Sequence, residues 1–222
     1  MSLSARSRHG LRNFSNKRGL ADRIGAKQGE TGVSIDHSMD KSWVLHSTVV
    51  LVGMMGSGKT AIGRTLSQVL DVPFVDSDAE IEAAAHASIS EIFAKSGEPF
   101  FRDREAEVIA RLLQSEPCIL STGGGAYLAA RNRAAISRSG VAVWLDADLE
   151  LLWERVRHND TRPLLRTPDP RATLGEIFEA RAPIYEQADL RATADPKFSI
   201  DEMTDEVLRV LAMRADVLEL AV

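Results

Sequence analysis

The sequence predicts an α/β fold of three layers, with a five-stranded parallel sheet between two layers of helices. Three observations carry this. From residue 47 onward, short β-branched runs alternate with segments of helical period. The runs are almost continuously apolar, as strands covered on both faces are. The unusual residues gather at their ends: Gly53 to Thr60, Asp76 to Asp78, and Gly123 to Gly125. In open parallel sheets, ligands bind at the carboxyl ends of the strands.

Taken in order, "STVVLVG" (47–53) is a β-branched run closed by glycine and reads as a buried strand. "KTAIGRTLSQVL" (59–70) repeats Ile62, Leu66, Val69 and Leu70 along one helix face. "VPFVD" (72–76) is the second strand. Ser88 with Glu91 three residues later is a capping box, so a helix opens in "SISEIFAKSGE". After Pro99 a further amphipathic helix follows, "PFFRDREAEVIARLLQS". "PCILST" (117–122) is the third strand and runs into the glycines; "VAVWLDA" (141–147) is the fourth, with "LELLWERVR" helical after it. "HNDTRPLLRTPDPRAT" (158–173) has three prolines, several charges and no apolar period, which describes a mobile loop. "LGEIFEARAPIYEQ" is helical and "LRATAD" is the fifth strand. A final helix is expected from Ser199, boxed by Glu202, to Leu220.

Composition narrows the function. A chain of 222 residues suits one large α/β domain, and no apolar run approaches the roughly 18 residues of a membrane span. One cysteine excludes an internal disulfide and a Cys-based zinc site. Cys118, inside an apolar strand, reads as a small buried residue rather than a nucleophile. The five histidines have no ligand-like spacing. Residues 1–46 carry eight basic and four acidic residues, while the whole chain is −5, so 47–222 carry −9. An acidic body argues against nucleic acid as a partner. The basic, Ser- and Arg-rich start lacks the apolar core of a secretory signal. It reads as a disordered N-terminal extension over 1–46 or an over-long start with Met39 as the alternative; its composition also fits an organelle transit peptide. The catalytic domain is therefore drawn as 47–222. Arginine (21) outnumbers lysine (6), which fits a GC-rich bacterial source and a cytoplasmic protein without membrane attachment.

"GMMGSGKT" at 53–60 fits the phosphate-binding pattern G-x-x-x-x-G-K-[ST], in which turned backbone N–H groups and a helix N-terminus cradle phosphates. The pattern arises by chance in about 1% of chains this long, and here it falls between a strand and a helix. It points to a nucleoside triphosphate, with Gly56, Ser57, Gly58, Lys59, Thr60 and Ala61 as its contacts. Lys59 would reach the β- and γ-phosphates and Thr60 would ligate Mg²⁺.

Asp76 and Asp78, two apart in an extended segment, would face one way, toward the mouth of that loop. One could serve a metal's hydration shell and the other accept a hydrogen bond from an attacking hydroxyl. The alternative is a solvated acidic turn capping the next helix. Arg102, Arg162 and Arg181 sit in or beside segments that reach the strand ends. Singly each reads as a surface charge; with a phosphate loop they suggest an anionic acceptor, since the guanidinium fork suits carboxylate or phosphate. Three consecutive glycines need a reason too, because each costs about 0.5–1 kcal/mol relative to alanine inside a regular element. Either the chain turns as only glycine allows, or something comes very close to the backbone.

The ordered set "GMMGSGKT", "DSD", "SISEIFAKSGEPFFRDRE", "GGG", "RPLL" and "RAPIY", spread over about residues 48–215, resembles the shikimate kinase family of P-loop kinases. The resemblance implies ATP-dependent phosphorylation of the 3-hydroxyl of shikimate, giving shikimate 3-phosphate for chorismate and aromatic amino-acid biosynthesis. It implies catalytic roles for Asp78, Lys59 and Arg162, with Asp78 addressing the acceptor hydroxyl. Arg102 and Arg181 would hold the shikimate carboxylate, Glu105 would brace Arg102, and Gly123, Gly124 and Gly125 would floor the site for the ring's close approach. Thr60 and Asp76 would serve Mg²⁺, Arg155 would lie near adenine, and Arg162 would ride a lid over about 158–172. The acceptor-binding segment would span about 76–105, and the enzyme would work as a monomer. One departure is His86 or Ala87 where the family usually has glycine; a positive φ there would be strained. The rival readings are a P-loop kinase for gluconate or a nucleoside monophosphate, and a non-catalytic nucleotide switch.

Overall fold

A computed structural model describes residues 42–158 and 163–221. The strands are β1 (Ser42–Leu45), β2 (Thr48–Val52), β3 (Phe74–Asp76), β4 (Ile119–Ser121), β5 (Gly140–Asp146), β6 (Leu190–Thr193) and β7 (Leu218–Ala221). The helices are α1 (Lys59–Leu70), α2 (Ser77–Ala85), α3 (Ile89–Leu112) and α4 (Ala130–Ser139), then α5 (Leu149–Val156), α6 (Pro170–Tyr185) and α7 (Ile200–Leu211).

Strand β2 is buried along its whole length, with Val49 to Val52 at 1% exposure or less, as a central strand covered on both faces must be. It pairs in parallel with β4 on one side and β5 on the other, and β3 and β6 complete a five-stranded parallel sheet in the order β3-β4-β2-β5-β6. The three-layer α/β expectation holds. Ile62, Leu66 and Leu70 turn α1 onto the sheet, and Met203, Val207, Leu208 and Leu211 do the same for α7. Registry then sets the site. Leu51, Ser121 and Asp76 stand in one row across β2, β4 and β3. The residues that follow them leave the sheet side by side.

Both expected capping boxes form, at Ser88 with Glu91 and Ser199 with Glu202, each worth about 1 kcal/mol to its helix. The two helices expected on either side of Pro99 form as the two parts of α3, which meet at a break where Gly97 is non-helical (φ 77°, ψ 172°). His86 closes α2 in the left-handed region at φ 49°, so the sequence's departure from glycine carries the anticipated strain.

Three local expectations need correction. The last helix ends at Leu211 rather than Leu220, because the apolar period stops there: Met213 is 71% exposed while Val217 and Leu218 are buried out of phase. The chain returns as β7, which pairs antiparallel with β1 from Ser42↔Ala221 to Leu45↔Leu218. This ribbon lies across the 46/47 boundary drawn from composition. Helix α4 is a second miss; it buries only Asn132 and Ile136, too few apolar positions to give a period. Third, Asp78 is not extended. Asp76 ends β3 as the N-cap of α2, and Asp78 lies in that helix's first turn.

Candidate active site

Gly56 (φ 83°) and Gly58 (φ 94°) hold backbone conformations that L-residues rarely adopt. They let the loop after β2 coil so that α1 starts at Lys59 with no side chain capping its first N–H groups. Such an end is suited to an anion. The Lys59 Nζ donates to the carbonyls of Gly53 and Met54, each at 2.9 Å, and lies 3.5 Å from the Ser57 Oγ. Ser57 is buried, and Ala61 is exposed in the first turn of α1. Arg155, on α5, donates to the Gly56 carbonyl at 3.3 Å and so lies against the same loop. Burial pulls its pKa down from the ordinary arginine value.

Asp76 uses both carboxylate oxygens. One accepts from the Asp78 backbone N–H at 3.0 Å, and the other from the Thr60 hydroxyl at 3.4 Å. The cap therefore ties α2 to α1 and aims Asp78. The two aspartates do address one space, through the helix start rather than through an extended strand. The Asp78 carboxyl is pushed up to about 6. Burial is the main cause, followed by repulsion from Asp76 and Glu105, with Lys59 pulling the other way.

Beyond β4 the glycine run faces these groups. Neither Gly123, Gly124 nor Gly125 has a positive φ, so the run is not there to turn the chain. A Cβ at Gly123 would stand 2.7 Å from the Asp78 Oδ1, and one at Gly125 would stand 2.8 Å from the Arg102 Nη2. Close approach is the reason, and the site's own Asp78 and Arg102 are part of what approaches. Arg102 is held by Glu105, which takes Nη1 on both oxygens at 3.1 and 3.0 Å, and by Glu98, which takes Nε and Nη2 at 3.2 and 3.1 Å. Glu105 is 1% exposed; burial pushes its carboxyl up and Arg102 works against that shift.

Arg181 lies four residues before Tyr185 on α6, close enough to lower the phenol's pKa against the push of burial, and the Tyr185 hydroxyl donates to the Gly124 carbonyl. The fold thus assembles Lys59, Thr60, Asp76, Asp78, Arg102, Arg155, Arg181 and the glycine run at the carboxyl ends of β2, β3 and β4. Arg162 and part of the expected lid, at 159–162, lie outside the described residues. Two residues escaped the sequence reading. Ser77, fully buried, accepts from the Gly123 N–H at 3.4 Å. Tyr185 had a signal, the "RAPIY" segment, but no role. Thr60 and Asp76 are hard oxygen donors at the mouth of the phosphate loop, a set that suits Mg²⁺ held largely by phosphates and water.

A family model described as shikimate kinase matches residues 55–212. The shikimate kinase of Ruegeria pomeroyi is 65% identical over 177 residues, covering 80% of this chain and 91% of the relative. That of Cereibacter sphaeroides is 58% identical over 175 residues, covering 79% and 87%. Among solved structures, shikimate kinase from Acinetobacter baumannii in complex with shikimate superposes with a TM-score of 0.70 at 34% identity, over 75% of this chain and 93% of that one. A gluconokinase from Sinorhizobium meliloti, at 17% identity and a TM-score of 0.52, shares the fold alone. The matched region takes in the phosphate loop from Met55 onward, Asp76 to Asp78 and the glycine run, and the chain belongs to the shikimate kinase family.

Proposed function

We propose that the chain transfers the γ-phosphoryl group of ATP to the 3-hydroxyl of shikimate, releasing ADP and shikimate 3-phosphate in aromatic amino-acid biosynthesis. The observation that carries the reading is the placement of Asp78 against Gly123 and of Arg102 against Gly125 on one glycine floor, beside the phosphate loop. An acceptor that bears both a hydroxyl and a carboxylate uses both groups; a nucleotide switch needs neither.

Asp78 accepts the proton of the 3-hydroxyl as its oxygen bonds to the γ-phosphorus; the bond from that phosphorus to the bridging oxygen breaks and ADP leaves. A carboxyl near pH 6 remains mostly ionised at neutral pH yet is more basic than an ordinary aspartate. Arg102 and Arg181 hold the acceptor's carboxylate, and Glu105 fixes the Arg102 fork. Lys59 and the start of α1 hold the β- and γ-phosphates, and Arg162 closes over them from the lid. Arg155 borders the nucleotide. Thr60 and Asp76 would hold Mg²⁺, which would supply positive charge to the transferring phosphates. The large apolar side chains that remain exposed, such as Phe100, Ile200 and Met213, are scattered over separate elements. That scatter supports a monomer, and a cytoplasmic setting fits a chain in which no described helix is long and apolar enough to cross a membrane.

The test is ADP release from Mg-ATP with and without shikimate, on wild type and Asp78→Asn. Shikimate-dependent release that collapses in the variant supports the acceptor and the residue that addresses it. Equal release in both conditions overturns the acceptor, and gluconate and nucleoside monophosphates are tried next.

A further inference from the structure

Tyr185 ends α6 and is fully buried. Its ring stacks against Tyr127 at 6.5 Å and against Trp144 at 6.4 Å, with interplanar angles of 14° and 23°. Held by two rings, the phenol presents its oxygen to a fixed point. That point is the Gly124 carbonyl, to which the hydroxyl donates its single proton. Arg181 stands one helical turn earlier on the same helix, and its charge beside the phenol works against the upward push of burial on the hydroxyl.

We propose that Tyr185 is a positioning residue for the acceptor: its hydroxyl ties the Arg181 guanidinium to the backbone of the glycine floor. The inference rests on the shikimate reading of the site. Its physical content is a shared frame. Arg181 has a long, rotamer-rich side chain, and a fork fixed at one nitrogen loses less freedom when it meets a carboxylate. Tyr185 also holds the Gly124 carbonyl toward the protein interior, so that this oxygen does not repel an anionic acceptor. The same frame borders the phosphate loop. The Trp144 ring lies 3.4 Å from where a Gly53 Cβ would stand, and the Gly53 carbonyl lies 3.7 Å from where a Gly124 Cβ would stand.

Tyr185→Phe keeps the ring and its stacking and removes only the oxygen. Steady-state kinetics of shikimate-dependent ADP release are measured on wild type, Tyr185→Phe, Arg181→Ala and the double variant, with thermal melts alongside. The expected result for Tyr185→Phe is a shikimate KM raised roughly 10-fold, from loss of a hydrogen bond to a charged group. The ATP KM stays within about 2-fold, because the lost contact serves one substrate. In the Arg181→Ala background the same change raises the shikimate KM by less than about 2-fold, since Tyr185 acts through Arg181. A Tyr185→Phe enzyme with reduced melting temperature and unchanged shikimate KM is a packing variant, and overturns the inference. So does an equal KM penalty with and without Arg181. If wild type turns over shikimate and Tyr185→Phe does so with the same KM, this inference alone fails. If wild type ignores shikimate, the functional reading fails and takes the inference with it.

Discussion

Replacing Gly123 by alanine separates the two reasons a glycine can be required. The backbone there lies outside the positive-φ region, so alanine is conformationally acceptable. The obstacle is Asp78. A new Cβ would stand 2.7 Å from Oδ1, 3.1 Å from Oδ2 and 3.3 Å from Cγ, whereas ordinary contact begins near 3.4 Å. The carboxylate must retreat by the difference, about 0.7 Å. A reacting group misplaced by about 1 Å costs on the order of 100-fold, so kcat is expected to fall about 30- to 100-fold. Stability changes less, because strain of about 1–3 kcal/mol is offset by about 0.4–1 kcal/mol from the stiffer unfolded chain. The assay is kcat for shikimate-dependent ADP release at saturating substrates, with a circular dichroism melt to verify folding.

Gly124→Ala is the internal control. Its Cβ meets nothing closer than 3.7 Å, so the protein accommodates it and any loss reports the approach of substrate. In this reasoning Gly124→Ala raises the shikimate KM, while Gly123→Ala lowers kcat. A Gly123→Ala enzyme that melts normally and keeps kcat within about 3-fold of wild type would refute the argument.

Because Asp78 must be ionised to take a proton, kcat/KM should fall about tenfold per pH unit below about 6 and level off above it; a profile that instead declines through 6 on the alkaline side would assign the protonated form. The folded carboxyl holds its proton more tightly than the unfolded value of 3.8, so its stabilising contribution is complete below 3.8 and lost as pH rises through about 6. At pH 7 the buried charge costs the fold up to ~3 kcal/mol, and Asp78→Asn should raise the melting temperature by at least about 3 °C there and much less at pH 4; equal shifts at both values would contradict this. His86→Gly relieves a left-handed residue at the end of α2 and should stabilise by about 0.5–1 kcal/mol in denaturant titrations, with destabilisation as the opposing result. Arg181→Ala should raise the shikimate KM more than Arg102→Ala does, because Glu98 and Glu105 already balance Arg102; the reverse order in paired kinetics would show that Arg181 is not the main source of attraction.

The phosphate loop was legible in the sequence because its geometry is local: glycines at fixed spacing dictate the turn, and the helix that follows supplies the N–H groups. The apolar runs of β2 and β5 were legible for the same reason. What was not legible depended on contacts distant in sequence. β1 and β7 are four residues each and exist only by pairing with one another across the length of the domain. Helix α4 gains its place from two buried side chains, one of them Asn132, whose amide bonds the Ala126 carbonyl at 2.9 Å. Asp78 reaches the expected space by a different local route, because Asp76 caps α2 and so sets the helix start from which Asp78 projects. Tyr185 reaches a carbonyl 61 residues away, and no spacing rule within "RAPIY" encodes that partner.

On the proposed reading of the site, the surroundings of each cation give Arg102 and Arg181 different parts in holding the acceptor. Lys59 and Arg155 both donate to backbone carbonyls of the phosphate loop, which fixes two cations at the place proposed for the triphosphate. Arg102 instead rests on two carboxylates, one of them the buried Glu105. Its fork is fixed in direction but its charge is more than balanced, and Asp78 adds further negative charge across the floor. A carboxylate-bearing acceptor entering that space gains geometry from Arg102 and little net attraction. Arg181 instead lies beside a neutral phenol, that of Tyr185. On the proposed reading, orientation would come mainly from Arg102 and attraction mainly from Arg181, a division that would let a crowded acidic site accept an anion while Asp78 stays in place to take its proton.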